Sequence, residues 1–188
     1  TVGSRYGVIH NETYPEHPLD IYSANKLVAE KYHHIYNKAY GLKTVCLRFP
    51  NLYGPYGKGY PQFGFINYFI SLAKEGKDIP IFGMGMQARN VMYVEDTCSA
   101  LWRTYDVREK LQDDLYFATS NVTAPVLFVA LKIQEVFGGS VVHMPWPKER
   151  EAIEIGGVQY HSKRFQRETK WSPKYDLDEG LRKTCEFS

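Results

Sequence analysis

The fold is decided by the stretch Asp20-Ile-Tyr22-Ser-Ala-Asn-Lys26-Leu-Val-Ala-Glu30 and by the strand that follows it. Apolar residues recur along this stretch near the helical period, and the pattern continues to Tyr40 and ends at Gly41. The next segment, Lys43-Thr-Val-Cys-Leu-Arg48, has the short apolar run of a buried strand. A long helix followed at once by a buried strand is typical of an α/β fold.

The same alternation continues to the C-terminus. Further helices are predicted at residues 65–74, 95–105, 124–137, 162–169 and 177–187. Further strands are predicted at residues 79–82, 90–94, 115–118 and 140–144, and a Gly/Pro/Tyr loop at residues 50–61. Strands that alternate with helices pair in parallel, so we expect an α/β sheet with a smaller lobe attached to it.

Composition and charge limit the partners that the chain can have. The net charge is +2, from 23 basic and 21 acidic residues, which does not favour nucleic acid or an anionic membrane surface. No run of about 18 apolar residues predicts a membrane span. The chain starts at Thr1 without a methionine, so we expect a fragment or a processed chain.

Cysteine and histidine usage predicts neither a disulfide framework nor a metal site. The three cysteines lie far apart, are odd in number and form no CxxC pair, which is typical of reduced thiols in a cytoplasmic protein. The six histidines show no metal-ligand spacing.

Tyr22 and Lys26 lie one helical turn apart, so their side chains share a face. A phenol titrates near ~10 and is a poor base at neutral pH unless nearby positive charge favours its ionised form. A lysine ammonium and an oxidised nicotinamide ring are two such charges, and a phenolate could then take a proton from a sugar hydroxyl. The alternative is a plain helix surface pair, since the chain has 15 tyrosines.

Four motifs, in order, resemble the extended short-chain dehydrogenases/reductases, the family of nucleotide-sugar epimerases, dehydratases and decarboxylases. Residues 18–30 resemble that family's active-site helix. Its next landmark is matched by Arg48-Phe-Pro-Asn51-Leu-Tyr53-Gly54-Pro55. A third is matched by Gly83-Met-Gly85-Met-Gln87-Ala-Arg89-Asn90 with Tyr93-Val-Glu95-Asp96, and the closing segment by residues 171–181. The resemblance implies a Rossmann-like parallel sheet, of which this chain is the C-terminal part, plus a small α/β substrate-binding lobe.

The resemblance also implies roles for individual residues. Tyr22 is the catalytic acid or base, and Lys26 makes its phenol more acidic and holds the nicotinamide ribose of NAD. The cofactor-binding residues implied are Tyr22, Lys26 and Pro50. The residues implied to bind a nucleotide-diphosphate sugar are Asn51, Pro80, Phe82, Arg89 and Arg150.

Each substrate residue has a structural alternative. Asn51 could be a turn-forming asparagine, and Arg89 a solvated arginine. Residues 79–82 could form a plain core strand. Arg150 competes with Lys148 for a second phosphate contact, and both could belong to a solvated charge cluster.

The third catalytic residue is ambiguous. The family places a Ser or Thr four residues before the Tyr of a Val-Tyr-Gly triplet, but Val2 stands at that position here. A one-residue insertion would give the role to Thr1, and Ser4 is the alternative. Dehydratases of the family usually follow the Thr with Asp-Glu or Ser-Glu, whereas Val2-Gly3 offers neither. This difference favours an epimerase over a dehydratase or a decarboxylase.

The segment that would bind the pyrophosphate of NAD is not found in the sequence. Residues 83–88 match GxGxxA formally, but a strand pattern and not a helix follows them, so we reject them as a dinucleotide loop. We therefore expect the front of the Rossmann domain to precede Thr1, residues 1–60 to form its back portion, and residues 61–188 to form mainly the substrate lobe, with some segments returning to the sheet.

Three further expectations follow from this division. The isolated chain is expected to be inactive, with NAD bound in the full-length parent. A homodimer through the Tyr22/Lys26 helix is expected by resemblance. The alternative from another class is a non-catalytic fragment that binds nucleotide sugars.

Overall fold

The computed structural model describes residues 9–151, 153, 154 and 156–187, so Thr1 and Ser4 lie outside the described residues. The strands are β1 (Ile9–His10), β2 (Cys46–Arg48), β3 (Asn51–Tyr53), β4 (Asp78–Phe82), β5 (Ala88–Tyr93), β6 (Leu115–Phe117), β7 (Thr123–Pro125), β8 (Ser140–Met144) and β9 (Gln159–Tyr160). The helices are α1 (Ile21–Tyr40), α2 (Phe65–Lys74), α3 (Val94–Asp106), α4 (Val126–Phe137), α5 (Lys148–Glu151), α6 (Lys163–Thr169) and α7 (Leu177–Glu186).

The strands pair mostly in parallel, which confirms the predicted α/β class. β2 pairs with β6, β3 with β5, β4 with β8 and β1 with β9, all in parallel. β7 adds to β5 in the antiparallel direction, so β5 is the middle strand of a three-stranded sheet. Helices join the parallel strands, as parallel pairing requires.

Two hydrophobic cores hold these elements together. The larger, which we call the lobe core, contains buried residues of α2, α4 and α7 with those of four strands: Tyr53, Ile66, Phe69, Ile70, Ala73, Ile79, Ile81, Val91, Tyr93, Ala124, Val126, Val129, Ala130, Ile133, Leu177 and Leu181. The smaller, the sheet core, contains Met92, Ala100, Tyr116, Ala118, Phe165 and Trp171. Tyr53 lies in the lobe core and Met92 in the sheet core, so each core contains residues from both sides of position 60. The domain boundary at residue 60 stays a prediction.

Two strands lie where the sequence predicted other structure. β3 occupies part of the predicted loop because residues 51–53 find a partner in β5. The helix predicted from residue 124 begins at Val126, since residues 123–125 form β7 on the other side of β5. Proline lacks an amide donor and is tolerated on an edge strand, which accommodates Pro125 there.

The C-terminal segment is fastened to α3 by a buried carboxylate. Asp96 accepts hydrogen bonds from the backbone amides of Lys174 (2.9 Å) and Tyr175 (3.2 Å). Burial raises the pKa of this carboxyl, against the opposing effect of the two amide hydrogen bonds. Asp96, the last residue of the Tyr-Val-Glu-Asp motif, therefore has a structural role.

No helix in the described part of the chain combines the length and the apolar character needed to cross a membrane.

A glycine in α7 lets that helix lie directly on β3. A Cβ added to Gly180 would stand 2.1 Å from the hydroxyl oxygen of Tyr53 and 2.9 Å from its ring. Tyr53 is buried in the lobe core, and burial raises the pKa of its phenol. Its ring therefore has little room to move away.

We expect Gly180→Ala to destabilise the fold. Alanine is a better helix former by about 1 kcal/mol, but overpacking a core costs about 1–3 kcal/mol, so a net loss of about 1 kcal/mol should appear in urea unfolding. Adding Tyr53→Phe should recover part of the loss because the nearest clashing atom is removed. Arg182→Ala, exposed on the same helix, is the matched control. Greater stability of Gly180→Ala than of the wild type would contradict this packing.

Candidate active site

The predicted site residues line two neighbouring cavities. The first, which we call the helix cavity, has a volume of about 930 Å³ and is lined by Tyr22, Lys26, Pro50 and Asn51 among others. The second, the lobe cavity, has a volume of about 580 Å³ and is lined by Pro80, Phe82, Arg89 and Arg150 among others. Phe65 and Tyr160 line both cavities. Tyr22, Lys26 and Pro50 of the predicted catalytic and cofactor residues thus lie on one side, and four of the five predicted substrate residues on the other. Thr1, the third predicted catalytic residue, lies outside the described residues.

Tyr22 and Lys26 stand on the first two turns of α1. The helix begins there because the Asp20 carboxylate accepts a hydrogen bond from the Ser23 amide at 2.6 Å, as an N-cap residue does. The Lys26 ammonium lies 5.5 Å from the centre of the Tyr22 ring. Tyr22 is 70% exposed, so its phenol is accessible to a bound molecule.

Asn51 has a structural partner at the start of β3. Its side-chain amide donates a hydrogen bond to the Asn90 carbonyl of β5 at 3.0 Å. The side chain also lines the helix cavity. Asn51 thus lies in a strand and does not form the turn of the structural alternative, and its contact with substrate stays a prediction.

Residues of β4 alternate between core and cavity. Ile79 and Ile81 are fully buried in the lobe core, whereas Pro80 and Phe82 line the lobe cavity. Successive side chains of a strand point to opposite faces, so one face of β4 belongs to the core and the other borders the cavity. The substrate contact of Pro80 and Phe82 stays a prediction.

Phe82 is covered by one side chain of the loop that follows β8 and by one of α5. The Trp146 ring lies with its centre 5.4 Å from that of Phe82, and the Arg150 guanidinium carbon lies 5.4 Å from the same ring centre. Trp146 also approaches Gly83, where an added Cβ would be 2.6 Å from the indole nitrogen. The sequence did not predict that Trp146 belongs to the site, because Phe82 and Gly83, which it contacts, lie more than sixty positions before it.

Arg89 is held at the wall of the lobe cavity. Its guanidinium donates to the Glu154 carboxylate at 2.5 Å and to the carbonyls of Ala88 (2.9 Å) and Gly156. The Arg89 side chain is 17% exposed, which excludes the solvated alternative. No sequence spacing pointed to Glu154, whose role depends on a contact across 65 residues.

A network of charged groups anchors α1 beside the helix cavity. The Arg48 guanidinium donates to both Glu30 oxygens, at 2.9 and 2.6 Å, and to Glu16 at 2.8 Å. Lys31 donates to the other oxygen of Glu16 at 2.8 Å. Burial of Glu16 raises the pKa of its carboxyl, but the hydrogen bonds and charges of Lys31 and Arg48 outweigh burial, and the pKa is lowered.

Comparison with known proteins identifies this arrangement. Residues 3–119 match the family described as the NAD dependent epimerase/dehydratase family. The chain belongs to that family. Its parallel α/β sheet pieces match the Rossmann-like structures of epimerases and dehydratases.

Individual family members include both reaction types. The chain is 29% identical over 94% of its length to a putative UDP-glucose 4-epimerase of Methanocaldococcus jannaschii, covering 56% of that protein. It is 30% identical over 95% of its length to a dTDP-glucose 4,6-dehydratase of Salmonella typhimurium, covering 50% of it. The chain thus spans about half the length of these relatives.

Solved structures agree with this assignment. A UDP-glucose 4-epimerase of Thermotoga maritima, solved with UDP-glucose, superposes with a TM-score of 0.87 at 26% identity and covers 98% of this chain and 59% of its own. A dTDP-glucose 4,6-dehydratase of Bacillus anthracis in complex with NAD superposes with a TM-score of 0.80 at 25% identity, with coverages of 98% and 57%.

The helix cavity of this family member fits the nicotinamide end of NAD. Tyr22 and Lys26 both line its wall, with the ammonium 5.5 Å from the centre of the Tyr22 ring, and the hydroxyl and the ammonium are donors that suit ribose hydroxyls. A glycine-rich turn from a strand into a helix, the usual partner of the NAD pyrophosphate, does not occur in this sequence. In the described residues, no cluster of His, Cys, Asp or Glu side chains could hold a metal ion.

We expect the stability of this family member to depend on Glu16 at acidic pH. A carboxyl with a lowered pKa in the folded state contributes stability above its ordinary pKa of about 4.3, and this is lost as the pH falls through the lowered value. Glu16→Gln should therefore reduce the unfolding free energy at pH 6 and make its decline from pH 5 to pH 3 shallower. Urea unfolding at several pH values measures both.

Glu109→Gln is the matched control for this titration. Glu109 also pairs with a lysine, Lys43, at 2.7 Å, but its side chain is 71% exposed. Exposed ion pairs contribute little to the free energy of unfolding. This variant should therefore keep nearly the same pH dependence of the unfolding free energy as the wild type. Equal slopes in Glu16→Gln and the wild type would contradict the role of the network.

Proposed function

We propose that the whole protein is an NAD-dependent nucleotide-sugar epimerase. The observation that carries the proposal is the adjacency of the two cavities, which share Phe65 and Tyr160. One molecule with a sugar at one end and a nucleoside diphosphate at the other could reach Tyr22 in the helix cavity and Arg89 in the lobe cavity.

The lobe cavity has the chemistry to hold the nucleotide end. Its wall offers aromatic faces at Phe82 and Trp146 for a nucleobase, and guanidinium groups at Arg89 and Arg150 for the diphosphate. Guanidinium groups bind phosphate oxygens through paired, charge-assisted hydrogen bonds. Relatives named for UDP-glucose and dTDP-glucose support this class of substrate.

The helix cavity has the chemistry for proton transfer at the sugar. Tyr22 would take the proton of the reacting hydroxyl and later return it, and the neighbouring Lys26 ammonium would stabilise the phenolate. NAD, when bound, supplies the hydride acceptor and donor of this family. Asn51, beside Pro50 on the same wall, would orient the sugar or the diphosphate.

Epimerisation needs fewer acidic groups than dehydration, because no water has to be eliminated. Among the described residues that line the helix cavity, Glu30 is the single carboxylate, and it is engaged by Arg48. Together with Val2-Gly3 in place of the Asp-Glu or Ser-Glu of dehydratases, this supports an epimerase. A 4,6-dehydratase or decarboxylase of the same family is the second candidate, since relatives include dehydratases.

The experiment that tests the proposal separates binding from chemistry. The whole protein is assayed with NAD and a panel of UDP-, dTDP-, GDP- and CDP-hexoses, and the products are identified by NMR. Tyr22→Phe should reduce turnover by at least about 10²-fold and leave the affinity for UDP unchanged, because the phenol transfers a proton and does not contact the nucleotide. Arg89→Gln should weaken UDP binding, measured by calorimetry.

Arg103→Gln, an arginine outside both cavities, is the control for Arg89→Gln. A 4-keto-6-deoxy product would select the dehydratase instead. Binding of a nucleotide sugar without any turnover would select the non-catalytic alternative. Normal turnover in Tyr22→Phe would reject the proposed role of this residue.

We also propose a homodimer through α1. The helix exposes large apolar side chains along its length: Ile21, Val28, Tyr32, Ile35, Tyr36 and Tyr40. Such a stripe on a helix is a typical packing surface for a second helix. The observation supports α1 as a contact between two copies of the whole protein.

We expect Ile35→Glu to shift the whole protein from dimer to monomer in sedimentation, because it places a charge in the apolar stripe. Leu101→Glu, at an exposed apolar position of α3, is the control and should leave the dimer intact. A monomeric wild type, or an unaffected Ile35→Glu dimer, would reject this interface.

A further inference from the structure

Helix α1, which carries Tyr22 and Lys26, has an unusual attachment to the rest of the molecule. Structured helices in proteins are held mainly by burying an apolar face. None of the residues of α1, all of which the structure describes, is buried. Within the described residues, hydrogen bonds and ion pairs therefore contribute to placing this helix, and its exposed apolar side chains are left for the contact proposed between two copies.

The strongest polar contact of α1 is the one between Glu30 and Arg48. Two nearly parallel hydrogen bonds join them, from Arg48 Nε to Glu30 Oε1 at 2.9 Å and from Arg48 Nη2 to Glu30 Oε2 at 2.6 Å. Such a bidentate pair sets both the distance and the angle between its partners. The Glu30 and Arg48 side chains are 16% and 7% exposed, so water screens the pair little.

Arg48 itself is held firmly in the sheet. It is the last residue of β2, which pairs in parallel with β6 opposite Phe117. Its carbonyl accepts the Ala118 amide at 3.1 Å, and its guanidinium lies over the Phe117 ring at 5.4 Å. The pairing with Glu30 therefore ties α1, a helix with no buried residue in the described part of the chain, to a strand that is itself fixed in the sheet.

Glu30 is also the anchor next to the predicted catalytic pair. It lies four residues after Lys26 and eight after Tyr22, so the three side chains fall on one side of α1. The other hydrogen bonds from side chains of α1 to neighbouring segments, within the described residues, are made by residues later in the helix. They join Lys31 to Glu16, His34 to Asp114, and Asn37 to Thr44.

We propose that Arg48 and Glu30 are positioning residues, which place Tyr22 and Lys26 over the helix cavity. The proposal rests on the proposed function of that pair. A misplacement of a catalytic group by about 1 Å can cost about 10²-fold in rate. The reaction therefore requires contacts that hold the helix in place to a fraction of an ångström. Lysine cannot replace Arg48 in this role, because an ammonium lacks the planar fork.

The test compares Glu30→Gln, Arg48→Lys and the double variant Glu30→Leu/Arg48→Met in the whole protein. Turnover with the nucleotide sugar and NAD gives kcat and KM, and hydrogen exchange of residues 21–32 reports the attachment of α1. We expect each single variant to lower kcat by about 10²-fold with little change in KM, because the nucleotide end is held in the lobe cavity. Exchange in residues 21–32 should accelerate while exchange in β4 and β8 stays unchanged.

The double variant separates positioning from stability. A single substitution leaves a buried charge without its partner, whereas the double substitution removes both charges and can restore stability. A merely structural role predicts that the double variant recovers kcat together with its melting temperature. We expect the melting temperature to recover and kcat to stay low, because the directional tether is still absent.

Two controls make the outcome specific. Lys43→Met removes an exposed ion pair outside α1, that with Glu109, and should leave kcat and exchange unchanged. Tyr22→Phe should abolish turnover without altering exchange in α1. Wild-type kcat in Glu30→Gln or in the double variant, with Tyr22→Phe inactive, overturns the positioning role alone. Wild-type turnover in Tyr22→Phe overturns the proposed function on which this role rests.

Discussion

Strand β5 is the element on which the rest of the structure depends, because it contributes to both cores. Val91 and Tyr93 point into the lobe core, and Met92 between them points into the sheet core. This follows from the alternation of side chains along a strand. Arg89 precedes these residues on the same strand and reaches the lobe cavity, while Asn51 on neighbouring β3 lines the helix cavity. A strand shared by two cores thus brings the two cavities side by side.

The sequence was sufficient to predict the long helices and the longer strands. Periodicity located α1, α2 and β4 to within one or two residues, since each buries or exposes its residues in a regular pattern. It failed for β3 and β7, which are three residues each and exist because β5 offers both of its edges. β2 and β6 are equally short but stand in apolar runs, whereas β3 and β7 have no apolar run of their own to detect.

The contacts that position the charged site residues were beyond prediction for a different reason. Arg89 and Arg48 were visible in the motifs, but their partners Glu154 and Glu30 lie 65 and 18 residues away and fit no spacing rule. A guanidinium that leaves water needs a counter-charge, so partners were to be expected in general. Which carboxylate becomes the partner of each arginine depends on the tertiary structure, because the loops bring distant residues together.

The two arginines differ in what their carboxylate partners imply for ligand binding. The Arg48 side chain is almost fully enclosed and binds two carboxylates, so its charge is already compensated and suits a permanent tether. Arg89 pairs with one carboxylate, Glu154, at the wall of an open cavity. A diphosphate carries more negative charge and more acceptor oxygens than a carboxylate, so it can compete for that guanidinium. We therefore propose that a guanidinium serves attachment where it is enclosed, as in Arg48, and ligand recognition where it borders a cavity, as in Arg89.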